Sequence, residues 1–568
     1  MSSLDISFIV IYFVILITAG FYLKKRSQKN IEGYFLSDRK LPWWLAGMSM
    51  AATTFAADTP LAVTGIVSKS GIAGNWLWFS FVFSGIMTVF FFAPYWRRSE
   101  VMTDAEFAEI RYGGRPAEFL RAFRAVYLAV PINIIIMGWV TIGMSKVIEA
   151  AFGWPKWQVI LILYLITCVY IIFSGLWGVI IADFFQFITA MAGSIVLMVY
   201  ALDSVNGIDG LKEKLVLEFG QNHGLLSLSP FLNAKIAFST ALVWISMQWW
   251  VSWYPGAEPG GGGYVGQRIY AAKDEKNAVY STLFFNLLHY GVRPWPWIIT
   301  ALVAMVTFNN LSDPEMGYPM AMKKFLPSGF FGLLAIAFFS AFMSTISTHL
   351  NWGASYIVND FYKRFIRKNE KENHYVLISR VTVFILMILA LITSYFFDSV
   401  KESWELLLSI GAGTGLVYLL RWYWHRVNAY SEISAMIAAF FGSIFLRIAG
   451  ITDFALLIII NTLITTFVWV AVTYMTKPED ETLLKKFVEK IKPEGPGWKN
   501  FQTKEQSSLK PLFNKFYLWA AGCIFVLSFL FGMGKFIFKE YTDAFIFLML
   551  LLFSGFIINK KMKQLKLF

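Results

Sequence analysis

The chain has 568 residues, of which 57% are hydrophobic and only 15% are charged, and its formal net charge is +13. A soluble protein carries about 25% charged residues, so this composition excludes an ordinary soluble domain. The positive charge does not indicate a nucleic-acid partner, because it follows the membrane topology described below.

Windows of about 20 apolar residues recur along the whole chain, which is the pattern of a polytopic helical membrane protein. We predict about fifteen spans. They start near Ile6, Leu41, Asn75, Ala122, Gln158, Gly178, Ile236, Lys276, Pro327, Asn373, Ser403, Glu432, Ile451, Phe516 and Tyr541. The sequence has no Walker-type phosphate loop, no metal-ligand spacing and no G-x-S-x-G elbow, which argues against an ATP-driven pump and against an enzyme.

The distribution of Lys and Arg predicts the orientation of the chain. With the N-terminus outside and alternating spans, roughly three quarters of these residues fall on the cytoplasmic side, as the positive-inside rule requires. We therefore expect a multi-pass protein of the plasma (inner) membrane, in contact with the lipid bilayer, with a cytoplasmic C-terminus. A charged stretch at 477–515 is expected to be a cytoplasmic linker.

Two of the predicted spans contain strong helix breakers at membrane depth. The second span, LPWWLAGMSMAATTFAADTPLAVTG, carries Asp58 and Pro60 in mid-run, and the seventh runs into WYPGAEPGGGGYVGQR, Trp253 to Arg268. Proline removes a backbone donor and clashes with the preceding turn, and irregular backbone persists in a membrane only inside the protein or along a cavity. Helices broken at matching places in two halves are typical of inverted-repeat transporters, which bind solute and ion at the breaks.

The span that starts near Pro327 carries a dense cluster of hydroxyl side chains in the sequence MSTISTHLN. Ser344, Ser347 and Thr348 fall at helix positions i, i+3 and i+4 and share one face, and Thr345 lies one step round. Oxygen ligands of this kind suit a small hard cation such as sodium. In the alternative interpretation, these hydroxyls only bond back to carbonyls of their own helix; we favour the ion-binding interpretation.

These motifs, taken together and in order, resemble those of the sodium:solute symporters, which include sodium–galactose, sodium–proline and sodium–sialic acid carriers. The resemblance rests on LPWW, GLWGVIIADFFQF, GQRIYAAKDEKNA, MSTISTHLN with NDFYKRF, and GAGTGLVYLLRWYWHRVNAYSEI. It implies an all-α polytopic membrane protein of the leucine-transporter type, with two inverted five-helix repeats and extra flanking helices. The implied divisions are a leading helix and cytoplasmic loop at 1–40, repeats at 41–203 and 234–424, and C-terminal helices at 430–568.

The resemblance also implies sodium as the coupling ion and places its ligands. The general sodium site takes two carbonyls from the first broken helix, and one carbonyl and two hydroxyls from the later helix, which here are Ala52, Phe55, Ala341, Ser344 and Thr345. Some members hold a second sodium, and the matching residues are Asp183, Ser344, Ser347 and Thr348. A carboxylate within a span is costly and by default functional, although Asp183 lies near the cytoplasmic end and its alternative role is a cap or a pair with a basic residue.

The substrate positions depart from those of the family's sugar carriers. Where the galactose carriers have glutamine, glutamate, lysine and glutamine, this chain aligns Thr59, Trp78, Tyr290 and Leu407. Most hydrogen-bond partners for sugar hydroxyls are therefore missing, which argues against a galactose-like binding mode. Tyr264 matches the aromatic gate after the second break, and four more aromatic candidates for the pocket wall are Trp249, Trp250, Trp253 and Trp295.

Arg293 lies well inside an apolar run, one residue before Pro294. An arginine at that depth needs a carboxylate, a carbonyl or water. One possible partner is Glu258, in a structural pair that holds the second break; another is an anionic solute, because the guanidinium fork suits carboxylates. A third possibility is that Arg293 reaches the outer vestibule.

The sequence therefore predicts a sodium-driven secondary symporter that imports a small organic solute by alternating access. Two alternatives come from other classes: a transporter-like sensor or receptor, and a membrane-embedded enzyme. No signalling domain and no nucleophile–base pair is visible in the sequence to favour either. The small-molecule solute and the lipid bilayer are the expected partners, and no obligatory protein partner is evident.

Overall fold

The computed structural model describes residues 3–8, 10–11, 14, 31–221, 224–252, 262–309, 311–503 and 505–564, without the side chains at 31, 32, 34, 166, 168–179 and 181–182. All the regular secondary structure in these ranges is helical, and the helices are joined by turns and loops. An isolated β-bridge connects Leu41 and Ala272. A helix satisfies the hydrogen bonds of its own backbone N–H and C=O groups, and the hydrocarbon of a bilayer offers no hydrogen-bond partners for them. The predicted all-helical membrane class is confirmed.

The α-helices fall into three groups along the chain. The first group comprises Ile31–Leu36, Trp43–Thr54, Thr59–Ser70, Trp76–Phe79, Val82–Met87, Ala93–Ser99, Phe107–Arg111, Gly114–Tyr127, Asn133–Phe152, Lys156–Asp203 and Gly207–Phe219. The second comprises Phe238–Val243, Trp249–Val251, Gly263–Ala271, Glu275–Asn286, Pro294–Thr307, Gly317–Phe325, Phe330–Ser355, Glu372–Ser394, Val400–Gly411 and Thr414–Tyr423. The third comprises Ala429–Ile448, Phe454–Met475, Glu481–Ile491, Lys510–Ile537 and Tyr541–Gln564.

Short helical turns of other types join these elements. Wider π-helical turns occur at Thr88–Phe92, Leu128–Ile132, Trp244–Gln248, Leu287–Val292 and Tyr356–Ile366. Tighter 3-10 turns occur at Ser37–Arg39, Ile72–Asn75, Pro230–Leu232, Pro314–Met316 and Pro496–Trp498.

Nine helices are long and apolar enough to cross a membrane within the described residues, or up to eleven if each of two bent pairs counts as one span. That is fewer than the roughly fifteen predicted from apolar windows. The windows near Ile6 and Ile236 extend into residues outside the description. The window from Lys276 is covered by Glu275–Asn286, the π-helical turn Leu287–Val292 and Pro294–Thr307, joined through Arg293 with a helical φ of −69 and ψ of −36. Each of these pieces is too short to count as a span on its own.

The first predicted break is confirmed. The helices Trp43–Thr54 and Thr59–Ser70, hereafter the first and second half-helices, meet at 58°. Pro60 lies in the first turn of the second half-helix, where its missing N–H costs nothing. The second predicted break, Trp253 to Gly261, lies outside the described residues, between helices that end at Val251 and begin at Gly263.

A third break, which the sequence analysis missed, separates Val400–Gly411 from Thr414–Tyr423 at an angle of 48°. Gly413 there has φ +95, and a Cβ added to it would lie 2.5 Å from the side chain of Thr465. Both the left-handed backbone and the close approach require glycine.

The helix Phe330–Ser355, hereafter the central helix, is buried along nearly its whole length. The long helix Lys156–Asp203 packs beside it, and has 48 residues, about 72 Å if straight. Asp183 bonds to Ser344 of the central helix, and Tyr164 packs on Phe342 with 6.0 Å between ring centroids.

The predicted linker at 477–515 is docked on the protein. Its amphipathic helix Glu481–Ile491 buries Leu484, Phe487, Val488 and Ile491. Trp498 donates from its indole nitrogen to the backbone oxygen of Trp422 at 2.7 Å. The segment therefore fastens the C-terminal helices to the core.

Candidate functional site

A buried arginine holds the end of the first half-helix. Arg293 is fully buried, and its Nη1 and Nη2 atoms donate to the backbone oxygens of Ala51 at 3.1 Å and Thr54 at 2.6 Å. Nη1 also donates to the Thr54 hydroxyl at 2.7 Å. The last carbonyls of a helix lack intrahelical partners and carry the negative end of its dipole. The guanidinium therefore neutralises the open end of this half-helix.

The hydroxyl-rich face of the central helix lies against the first half-helix. Thr345 donates its hydroxyl to the backbone oxygen of Thr53 at 2.9 Å. Phe55 ends the half-helix, with its N–H on the carbonyls of Ala51 and Ala52 at 3.0 Å and a non-helical ψ of 81. The two elements that carry the predicted sodium ligands are thus in direct contact. The remaining ligand candidates on the central helix, Ala341 and Ser344, are both 3% exposed.

Asp183 lies at the centre of a buried polar cluster between the first half-helix, the long helix and the central helix. Its two carboxylate oxygens accept from the hydroxyls of Ser344 and, at 2.6 Å, Ser49. Nη2 of Arg268 lies 3.7 Å from Oδ2 of Asp183, and both side chains are fully buried. Asp183 therefore lies beside the guanidinium of a basic residue on another buried helix.

The same arginine also contacts one of the hydroxyls predicted for the second sodium, that of Thr348. Nη2 of Arg268 donates to the Thr348 hydroxyl at 3.0 Å and to the Thr53 hydroxyl at 3.4 Å, and Nε donates to Ser49 at 3.1 Å. Ser347 instead donates to the backbone oxygen of Ser344 at 3.0 Å. Two of the four predicted residues, Asp183 and Thr348, therefore contact the guanidinium group, and a third, Ser344, bonds to Asp183.

A cavity opens between the half-helices and the central helix. Its aromatic wall comprises Trp78, Phe81, Trp139, Tyr264, Tyr290 and Trp404, and its hydroxyl groups come from Thr53, Thr54, Thr59 and Thr345. His289 and His349 add two imidazoles, and Asp58 is the acidic residue among the described residues of the wall. The cavity has a volume of about 70 Å³, which suits a compact solute.

Four of the predicted substrate residues line this cavity: Thr59, Trp78, Tyr264 and Tyr290. Trp78 and Tyr290 stack, with ring centroids 6.0 Å apart, and Tyr264 packs edge-on against His349. Arg293 is not part of the wall, and Glu258 lies outside the described residues.

Other aromatic candidates lie elsewhere. Trp249 stacks on Trp519, Trp250 donates to the backbone oxygen of Ser246 on an exposed surface, and Trp295 donates to that of Leu530. Trp253 lies outside the described residues. Leu407 lines a separate small pocket, whereas its neighbour Leu408 lines the cavity.

The sequence analysis missed several residues of the site. They are Asp58, Trp139, Arg268, His289, His349 and Trp404. The available signal for Arg268 was an arginine in the helix that follows the second break, and for Asp58 a carboxylate inside the first break, since ionisable residues at membrane depth are functional by default. Trp139 and Trp404 had no such signal, because tryptophans also collect at membrane interfaces.

Comparisons with known proteins show the family of the chain. The family model described as "Sodium:solute symporter family" matches residues 34–439. The chain is 24% identical over 510 residues to the sodium/glucose cotransporter of Vibrio parahaemolyticus, covering 84% of this chain and 91% of that protein. It is 22% identical over 469 residues to the sodium/myo-inositol cotransporter 2 of Sus scrofa, covering 76% and 68%.

Two solved structures share the fold. A Na+-coupled sialic acid symporter in a substrate-bound outward-open state aligns with a TM-score of 0.67 and 17% identity, over 84% of this chain and 99% of that chain. The nucleobase-cation-symport-1 family transporter MHP1 aligns with a TM-score of 0.50 and 12% identity, over 80% and 97%.

Proposed function

Because the chain belongs to the sodium:solute symporter family and is a sodium-coupled symporter rather than an enzyme, we propose that its ion and its solute bind side by side at the first break. The ion lies between the end of the first half-helix and the central helix. The solute lies in the adjoining cavity, so that both ligands contact the same break.

The proposed sodium ligands are the carbonyls of Ala52, Phe55 and Ala341 and the hydroxyls of Ser344 and Thr345. Oxygens without bulky charge suit a small hard cation, and the open end of a helix contributes negative potential. The observation that carries the assignment is the 2.9 Å contact between Thr345 and the backbone of Thr53, which joins the two ligand-bearing elements.

The proposed solute contacts are Thr59, Trp78, Tyr264 and Tyr290, all of which line the cavity. The cavity touches the half-helices, the central helix and the helix Val400–Gly411, so a bound solute contacts several elements at once. Movement of these elements about the solute would give alternating access.

The finer architecture and topology belong to the same proposal. We infer two inverted five-helix repeats of the leucine-transporter type at 41–203 and 234–424, with flanking helices that bring the total to about fifteen spans. The positive-inside bias supports an external N-terminus and a cytoplasmic C-terminus in the plasma (inner) membrane.

The ion site is tested by removing both hydroxyls in the variant Ser344→Ala/Thr345→Ala. Sodium titrations of thermal unfolding in detergent should show that this variant loses the stabilisation by sodium that the wild-type protein shows. Ser355→Ala is the matched control, because Ser355 is a buried serine of the same helix that bonds only to its own turn, at Trp352. A double variant with the wild-type sodium response would refute the assignment.

A further inference from the structure

Asp58 is a buried acid at the first break, and one of its carboxylate oxygens has no hydrogen-bond partner among the described residues. The residue is 2% exposed, and the oxygen in question is Oδ1. It precedes the second half-helix, but its side chain caps no backbone N–H there. A buried carboxylate without compensation is costly, and an ionisable residue at membrane depth most often serves a ligand.

The surroundings of Asp58 favour a positively charged partner. The cavity wall combines this carboxylate with aromatic rings, among them Trp78, Tyr290 and Trp404. Aromatic faces attract organic cations, and cages of such rings recognise alkylated ammonium groups. The nearby Arg293 does not compete for the cavity, because it directs Nη1 and Nη2 to the first half-helix.

The cavity is poorly equipped for a sugar or polyol. The Thr54 hydroxyl already accepts from Arg293, that of Thr345 donates to a backbone oxygen, and that of Thr59 donates weakly, at 3.4 Å, to the backbone of Thr54. A polyol buries many hydroxyl groups, and each one left without a partner costs about 1–3 kcal/mol. The polar groups of the wall are the Asp58 carboxylate, the imidazoles of His289 and His349 and these partly engaged hydroxyls, so most of the surface that a solute meets is aromatic or aliphatic.

We propose that the transported solute is a small organic cation whose protonated or quaternary nitrogen is held by Asp58 and by the aromatic wall. This inference rests on the proposed solute site. It names a substrate class that differs from the glucose and myo-inositol in the names of the relatives.

The test is ligand-induced thermal stabilisation of the purified full-length protein in sodium and in potassium. The probes are primary to quaternary alkylammonium compounds including choline, the neutral choline isostere 3,3-dimethyl-1-butanol, glucose and myo-inositol. At least one ammonium compound should stabilise the protein only in sodium, and the neutral isostere and both polyols should not. Stabilisation by a polyol, equal stabilisation by cation and isostere, or no response to any ammonium compound would overturn the inference.

The variant Asp58→Asn tests the role of the carboxylate directly. It should weaken the apparent affinity for the cation by at least about tenfold. Thr64→Val is the matched control, because Thr64 is buried on the same half-helix and bonds only to its own turn, at Pro60. Unchanged cation affinity in Asp58→Asn would refute the inference. If sodium did not stabilise even the wild-type protein, the proposed function would be refuted instead.

Arg268 carries an independent second inference. Its guanidinium and the Asp183 carboxylate are both fully buried, and it donates to Thr348 and Ser49 at 3.0 and 3.1 Å. Asp183 and Thr348 are among the residues predicted to hold a second sodium. The guanidinium of Arg268 therefore lies among oxygens that were predicted to bind the second sodium ion.

We infer that Arg268 supplies the positive charge at this position, so that transport is coupled to one sodium ion. A guanidinium and a sodium ion that need the same oxygens exclude each other sterically, and their mutual repulsion in a buried site is strong. The arginine is tethered, so its binding costs no loss of translational freedom, unlike that of a free ion.

Equilibrium binding of radioactive sodium to the purified protein counts the ions directly. Wild-type protein and Arg268→Lys should bind one sodium per chain, Arg268→Gln should bind two, and Arg268→Gln/Asp183→Asn should return to one. Two ions per wild-type chain, with loss of one in Asp183→Asn, would overturn the inference. A count of two sodium ions per wild-type chain would overturn the inference even if Arg268→Gln does not fold.

Discussion

At the scale of single residues, Arg293 shows how one side chain can hold a break in a membrane helix. Its guanidinium serves two carbonyls and a hydroxyl of the first half-helix and lies over the rings of Phe55 and Trp297 at 5.4 and 5.1 Å. Lysine has the same charge but no planar fork.

We expect Arg293→Lys to destabilise the protein and to weaken sodium binding, because the carbonyls beside the proposed ion site lose their fixed partner. Each charge-assisted hydrogen bond that is lost is worth about 1.5–3 kcal/mol. Thermal unfolding and sodium titration measure both effects, with the half-exposed Arg364→Lys as control. Normal stability with a strongly raised solute constant would show instead that Arg293 binds the solute.

Gly143 is a second residue at which a small change should have a large effect. A Cβ added there would lie 2.4 Å from the Cα of Asp58, so the helix Asn133–Phe152 packs directly on the first break. We expect Gly143→Ala to cost about 1–3 kcal/mol through overpacking and to reduce solute affinity by shifting Asp58. Gly113→Ala is the control, because its Cβ would meet only the ends of two side chains, Leu483 at 3.3 Å and Glu479 at 3.6 Å. Equal effects of the two substitutions would contradict this reasoning.

At the scale of helices, a buried ion cluster joins elements that are distant in sequence. Glu432, at the start of Ala429–Ile448, accepts from Arg124 at 2.9 Å and from Tyr112 at 2.6 Å, and lies 3.4 Å from Arg421. Arg124 also pairs with Asp104 at 3.0 Å. These charges compensate one another, so the removal of one member leaves the others buried and unpaired.

We expect Glu432→Gln to lower the free energy of unfolding by about 3–5 kcal/mol, the usual cost of breaking a buried ion pair. Chemical denaturation in detergent measures this loss. Glu402→Gln, an exposed glutamate on the helix Val400–Gly411, should change stability little. A stable Glu432→Gln protein would mean that Asp104 alone compensates both arginines.

At the scale of the whole molecule, burial separates a functional core from a lipid-facing periphery. The apolar window of Phe330–Ile366 is 89% buried, whereas that of the last helix, Tyr541–Gln564, is only 11% buried. Membrane helices without neighbours expose their apolar side chains to lipid. The elements that carry the site are therefore the ones that the other helices enclose.

The predicted orientation is tested with single cysteines in a background without native cysteines. A membrane-impermeant maleimide added to intact cells should label Leu217→Cys, an exposed residue of the loop expected outside. It should label Lys499→Cys, an exposed residue of the docked linker, only after the membrane is permeabilised. The reverse labelling pattern would invert the topology.

The sequence by itself determined the membrane class, the family and the first break. Long apolar windows are decisive because only helices and closed barrels satisfy their backbone in hydrocarbon, and Pro60 marks the break because proline cannot donate within a helix. It also identified the helix that carries Ser344 and Thr345. The number of spans was less predictable, since apolarity does not show where a π-helical turn such as Leu287–Val292 interrupts an α-helix.

Only the tertiary structure decided which partners the buried charges take. The sequence left three possible environments open for Arg293, and the structure shows that it donates to carbonyls of the first half-helix. Arg268, which the sequence analysis did not single out, lies among oxygens predicted for a second ion. The physical reason is that the local sequence pattern determines on which face of its helix a residue lies. It does not determine which other helix packs against that face. Pairing between charges more than eighty residues apart, as for Asp183 and Arg268, depends on how the helices pack.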